Sequence, residues 1–151
     1  MDKLSEFEKK LLNLLQENLP LCARPYAALA ERLGVSEKIV LEKIVELKER
    51  GFIRRIGTFF DSERLGFSGT LIALSVDKDK VADVAEFINR YPGVTHNYER
   101  ADEFNLWFTL LTESVADEQK ILAEVKALPG VRRTMNLPST KKYKINVTFK
   151  V

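Results

Sequence analysis

An α+β chain in two parts is what this sequence predicts, and three observations carry the prediction. Three short amphipathic helical segments lie close together near the start and run into a strand-like stretch. A strand-helix-strand pattern then occurs twice, and each helix stops at the same tripeptide, Pro92-Gly93-Val94 and Pro129-Gly130-Val131. The first part reads as a winged helix-turn-helix over residues 1–60. The second reads as a ferredoxin-like βαββαβ domain over residues 61–151.

The elements follow in order. Leu4, Phe7, Leu11, Leu14 and Leu15 fall on one helical face, and the pattern ends at Leu19-Pro20. A second helix fits Tyr26 to Leu33, with Pro25 in the first turn and Gly34 as its stop. Ser36 can cap a third helix to about Arg50, buried through Val40, Ile44 and Leu47 and ended by Gly51. The run from Phe52 to Phe60 is strand-like and would form the wing. A strand at Gly69–Val76 leads to a helix at Asp79–Tyr91, and Val94 opens a second strand. A strand at Asn105–Thr112 leads to a helix at Val115–Leu128, and Val131 opens the next strand. The stretch Tyr143–Phe149 alternates with period 2, as would a last strand able to pair with a second subunit.

Composition narrows the function classes. A chain of 151 residues, 45% apolar and 30% charged, can bury a proper core. No run reaches the roughly 20 apolar residues of a membrane span, and the start MDKLSEFEKK holds no apolar signal region. A cytoplasmic protein without membrane contact is expected. One cysteine, Cys22, and one histidine, His96, cannot assemble a zinc or iron–sulfur site, so no cofactor of its own is expected. Residues 131–151 carry six basic side chains and no acidic one, which points to an anionic partner.

A winged helix-turn-helix joined to a ferredoxin-like domain is the architecture of the leucine-responsive type of bacterial regulators, which makes DNA a candidate partner. The third helix argues against it. Glu37, Glu42, Glu46 and Glu49 cancel Lys38, Lys43, Lys48 and Arg50, whereas phosphate affinity needs clustered cations. Leu41 and Val45 project away from the buried stripe and suit a protein surface better than a groove of DNA.

Chemistry concentrates elsewhere. Strict alternation from Val94 places Val94, His96, Tyr98 and Arg100 on one face of the second strand: an imidazole, a phenol and a guanidinium in line. The next strand, with Phe104, Asn105, Trp107 and Phe108, supplies an aromatic wall. Arg54-Arg55, Arg132-Arg133 and Lys141-Lys142 are paired cations outside the helices, suited to a ligand with several carboxylates. No glycine-rich phosphate loop or serine triad stands out.

Several stretches then match one family. Phe52-Ile53-Arg54-Arg55-Ile56-Gly57, Leu65-Gly66-Phe67, Pro92 through Arg100, Phe104 through Thr109, and Leu137-Pro138 with Tyr143-Lys144-Ile145 and Phe149 resemble the siroheme decarboxylases. The His96-Asn97-Tyr98-x-Arg100 run followed by Asn105-Leu106-Trp107-Phe108 is the more specific part. The chain is most similar to the A-type subunit, which pairs with a homologous B-type subunit. The resemblance implies non-oxidative loss of carbon dioxide from two ring acetates of siroheme, giving didecarboxysiroheme in the alternative haem or haem d1 route, with activity only in the company of the partner. It implies His96 as axial ligand to the substrate iron or as proton donor, Tyr98 as relay and Arg100 as carboxylate holder. Arg54, Arg55, Asn105, Trp107, Arg132, Arg133, Lys141 and Lys142 would complete the substrate site. The alternative is a regulator or tetrapyrrole sensor that uses the same pocket to modulate DNA affinity.

Overall fold

The computed structural model describes residues 3–17, 19–58, 60–144, 149 and 151. They divide into two compact units: one of Met1–Thr58 with Lys144–Val151, the other of Phe59–Tyr143.

In the first unit, α1 (Glu6–Glu17), α2 (Pro25–Leu33) and α3 (Glu37–Glu49) enclose Leu11, Ala30, Val40, Ile44, Leu47 and Ile53. Local chemistry sets their ends. Ser36 caps α3 by accepting from the Ile39 N–H at 3.4 Å, and Gly34 closes α2 at φ +68°. The start of α1 is a reciprocal capping box. The Glu8 carboxylate accepts from the Ser5 N–H at 2.6 Å, and the Ser5 hydroxyl accepts from the Glu8 N–H at 3.2 Å.

Glu8 is almost wholly buried and also meets Arg50 beyond the end of α3, at 2.5 Å. The Ser5 N–H, and then Arg50, hold its carboxyl at about 2, well below its ordinary 4.5, against the opposing effect of burial. A carboxyl depressed by folding adds stability above its unfolded value, and that stability is lost as pH falls through the folded one. The helices of this unit are therefore expected to weaken between pH 4.5 and about 2. Circular dichroism across that range should show the loss, and Glu8→Gln should flatten it.

The run 52–58, expected as a wing strand, forms no strand. No described strand lies beside it, so its backbone finds no ladder, and the Phe52 and Ile53 N–H groups instead close the end of α3 on the Leu47 carbonyl. Residues 145–148 of the expected last strand lie outside the described residues, as does Phe59. Of that strand's flanks, Phe149 and Val151 exchange backbone hydrogen bonds with the side-chain amides of Gln16 and Asn13 on α1.

The second unit is a four-stranded antiparallel sheet, order β2-β3-β1-β4, built from β1 (Ser68–Val76), β2 (Val94–Glu99), β3 (Leu106–Thr112) and β4 (Val131–Pro138). Helices α4 (Val81–Ile88) and α5 (Val115–Lys126) cover one face. Alternation sends Ile72 and Leu74 of β1 and Leu106, Phe108 and Leu110 of β3 into that helix-covered core, all 1% exposed or less. Ser114 caps α5 by accepting from the Asp117 N–H at 3.1 Å. Among the described residues no helix is long and apolar enough to cross a membrane.

Candidate functional site on the open sheet face

The face of the sheet away from α4 and α5 carries His96, Tyr98 and Trp107 of the expected site. The pairing register Leu71↔Thr109, Ala73↔Trp107, Ala73↔Met135 and Leu71↔Leu137 lays an apolar floor across three strands. At one edge β2 adds His96 opposite Thr109 and Tyr98 opposite Trp107. Strict alternation is corrected here. A register shift between Val94 and His96 inserts an extra residue, so Val94 packs into the helix-covered core opposite Leu110 while His96 and Tyr98 take the open face.

The His96 and Tyr98 rings stack at 6.2 Å between centroids and 25° between planes. The Thr95 hydroxyl lies 3.1 Å from His96 Nδ1 and 2.6 Å from the Thr109 hydroxyl, which is itself 3.4 Å from Nδ1. Arg100 stands over the Trp107 indole at 5.9 Å, and that indole donates to the Phe104 carbonyl at 2.6 Å. Arg133 covers the Phe104 ring at 4.9 Å and pairs with Glu103. His96, Tyr98, Trp107, Arg100 and Arg133 thus form one continuous set.

The other expected site residues are placed differently. Asn105 donates to the Val76 carbonyl at 2.7 Å and accepts from the Val76 N–H at 2.9 Å, so its amide splices the end of β1 to β3. Arg132 grips Asp77 through two bonds of 3.0 and 2.6 Å and holds that carboxyl below its usual range. Lys142 pairs with Glu63, and Lys141 lies over the Tyr143 ring at 5.0 Å. Arg54 and Arg55 are exposed and belong to the first unit. Thr95 and Thr109 had no sequence signal of their own, because only the register of β2 on β3 brings them to the imidazole. Among the described residues no cluster of three metal-ligating side chains occurs.

The second unit also contains a concavity of about 860 Å³ whose walls include Leu65, Phe67, Tyr91 and Ile121. Glu113, Asp117 and Glu124 outnumber Lys120 along it, and Tyr91, hydrogen-bonded to Glu124, is pushed up to about 12 by burial first and by that carboxylate second. Such a lining repels a polycarboxylate. The open sheet face, with arginines at its end, attracts one.

Comparison with known proteins agrees in both units. Residues 64–144 match the AsnC-like ligand binding domain, and residues 8–54 match the siroheme decarboxylase NirDL-like HTH domain. The chain is 43% identical over 148 residues to the siroheme decarboxylase alpha subunit of Desulfovibrio desulfuricans, covering 98% of this chain and 85% of that one. It is 40% identical over 149 residues to the siroheme decarboxylase NirD subunit of Pseudomonas aeruginosa, covering 99% and 96%. The siroheme decarboxylase NirDL solved in co-complex with an iron-uroporphyrin III analogue superposes with a TM-score of 0.68 at 35% identity, over 95% of this chain and 48% of that one. With identity of this order running through both units, the chain belongs to the siroheme decarboxylase family, a branch related to the Lrp/AsnC regulators.

Proposed function

We propose that this chain is a subunit of a siroheme decarboxylase, a carboxy-lyase that works with a homologous partner subunit in the alternative haem or haem d1 route. The observation that carries the reading is the continuous set of His96, Tyr98, Trp107, Arg100 and Arg133 around an apolar sheet face. Siroheme is a flat apolar macrocycle ringed by carboxylates and brings its own iron. The floor of Leu71, Ala73, Met135 and Leu137 suits the ring, and the arginines suit its rim.

The reaction breaks the bond between an acetate methylene carbon and its carboxylate. The electron pair passes into the pyrrole-derived ring, and a proton delivered to that carbon makes the methyl group. His96, exposed on β2 with its Nδ1 beside the two threonine hydroxyls, supplies the proton or meets the iron, and Tyr98 beside it positions the ring. Arg100 and Arg133 hold the carboxylates that stay. A cation gripping the departing carboxylate would stabilise the ground state, so that group belongs over the apolar floor. Within the same unit, Lys141 adds positive charge toward the remaining side chains, whereas Arg132 and Lys142 are already paired with Asp77 and Glu63.

The test is to incubate the purified chain with siroheme under anaerobic conditions, with and without the homologous subunit, and to follow products by mass. Stepwise loss of two carbon dioxide units in the mixture supports the reading. Spectral binding without mass loss in either sample defeats it and favours a tetrapyrrole sensor.

The first unit has a separate expectation. Lys43 and Arg50 are tied to Glu46 and Glu8, and Lys38 to Glu42, so α3 offers no surplus of cations. Leu41 and Val45 stand exposed on it. Duplex DNA titrated by fluorescence anisotropy should show no salt-dependent binding down to about 50 mM salt, where phosphate contacts would be strongest.

A further inference from the structure

We propose that Thr95 and Thr109 are positioning residues for His96: a hydroxyl clamp on Nδ1 that leaves Nε2 as the reacting nitrogen. The role of His96 rests on the function proposed above, whereas the clamp itself rests on geometry.

Three polar atoms from two strands meet within hydrogen-bonding distance: Thr95 Oγ1 to Thr109 Oγ1 at 2.6 Å, Thr95 Oγ1 to Nδ1 at 3.1 Å, and Thr109 Oγ1 to Nδ1 at 3.4 Å. The bulge at the start of β2 makes this meeting. In a regular strand Thr95 and His96 would point to opposite faces. The extra residue turns Thr95 toward Thr109, on the same side as the imidazole. Tyr98 then stacks on the ring with 6.2 Å between centroids.

The cluster admits two orders of protons. If Thr109 donates to Thr95 and Thr95 donates to Nδ1, the neutral ring carries its proton on Nε2. The reverse order makes as many contacts inside the cluster and sends the Thr109 proton to solvent in place of the Nε2 proton, so the first order is the one that agrees with the intrinsic preference of a neutral imidazole side chain for Nε2–H. A hydroxyl is both donor and acceptor, so the order can invert when Nε2 gives up its proton or turns its lone pair to iron. A carboxylate at Nδ1 could only accept and would favour the cation. Among the described residues His96 forms no ion pair with a carboxylate. A hydroxyl clamp therefore suits an imidazole that must change its proton during a reaction cycle.

His96 is the only histidine in the chain, so labelling with ¹⁵N-histidine gives one ring to read by long-range ¹H–¹⁵N correlation. The spectrum is recorded on the full chain, alone and with unlabelled homologous subunit, at a pH where the ring is neutral. The native chain should hold the proton mainly on Nε2. Thr109→Val preserves shape and strand preference, and it should move the tautomer ratio by about fivefold. Thr109→Ser should restore it, and Thr95→Val reads the same clamp from the other strand. Ring nitrogens unchanged in both valine variants would overturn the proposal.

Turnover is read separately. If His96 reacts, Thr109→Val should lower kcat by about tenfold with KM little changed, and the serine variant should recover it. A shifted tautomer with unchanged kcat keeps the clamp and removes His96 from the chemistry.

Discussion

Replacing His96 by Ala in the assembled enzyme is expected to lower kcat by about 10²–10⁴-fold, the contribution of a positioned general acid, with the fold intact. The fold should hold because His96 is exposed on the edge strand β2, and the polar contacts it makes are to two threonine hydroxyls. Two further readouts separate its two candidate roles. If Nε2 meets the iron, the Soret band of bound siroheme should shift in the variant, and added imidazole should restore both band and rate. If His96 gives the proton, the band should hold while carbon dioxide loss slows by the full factor. Full turnover with an unaltered Soret band would take His96 out of the site and transfer the chemistry to the partner. Tyr98→Phe is the milder companion, since it keeps the ring stacked on His96 and removes only the hydroxyl.

The helices, their caps and the repeated strand-helix-strand unit were legible because each is written locally. Ser36, Gly34 and the two Pro-Gly-Val stops act within a few residues of themselves. What was illegible is non-local. The run 52–58 has the β-branched and aromatic content of a strand, yet a strand needs a neighbour and none of the described strands lies beside it. The expected face of His96, Tyr98 and Arg100 was right in kind, but Val94 had to be removed from it, because a bulge is invisible to a count of alternating residues. Among the cations, composition cannot tell a ligand-binding arginine from a structural one. Arg132 and Arg133 are adjacent, but Asp77 at the end of β1 takes the first in a bidentate grip while the second stands over Phe104 beside the open face. Asn105, expected in the substrate site, has its amide bonded to both backbone groups of Val76, a contact that no count along the sequence shows. Sequence located the face on which His96, Tyr98 and Arg100 gather. The partners that decide which side chains are free to touch it came from residues tens of positions away.

The two Pro-Gly-Val stops share a turn, with Val94 donating to the Tyr91 carbonyl at 3.0 Å and Val131 to the Leu128 carbonyl at 3.2 Å. Their glycines answer different demands, and substitution should separate them. Gly93 has an ordinary φ, but its carbonyl accepts from the Leu111 N–H at 2.8 Å, and a Cβ there would overlap the Leu111 carbonyl oxygen. That obstacle is backbone in the middle of the sheet and cannot swing aside. Gly130 sits at φ +89°, and a Cβ would lie 2.6 Å from Lys80 Cβ, on a side chain at a helix start. Gly93→Ala is therefore expected to cost about 3 kcal/mol or more, as overpacking against fixed atoms does, and Gly130→Ala about 2 kcal/mol, from backbone strain together with the approach to Lys80 Cβ, which moves only with its own backbone. Trp107, the only tryptophan and a member of β3, reports both in urea unfolding. Equal costs would refute the distinction. The larger effect should also reach function. Gly93 docks the first turn of β2 against β3 just ahead of the bulge that aims His96, so its alanine variant should lose turnover even in the fraction that remains folded. The Gly130 variant disturbs the start of β4, three residues before Arg133, and should lose stability with a smaller effect on kcat.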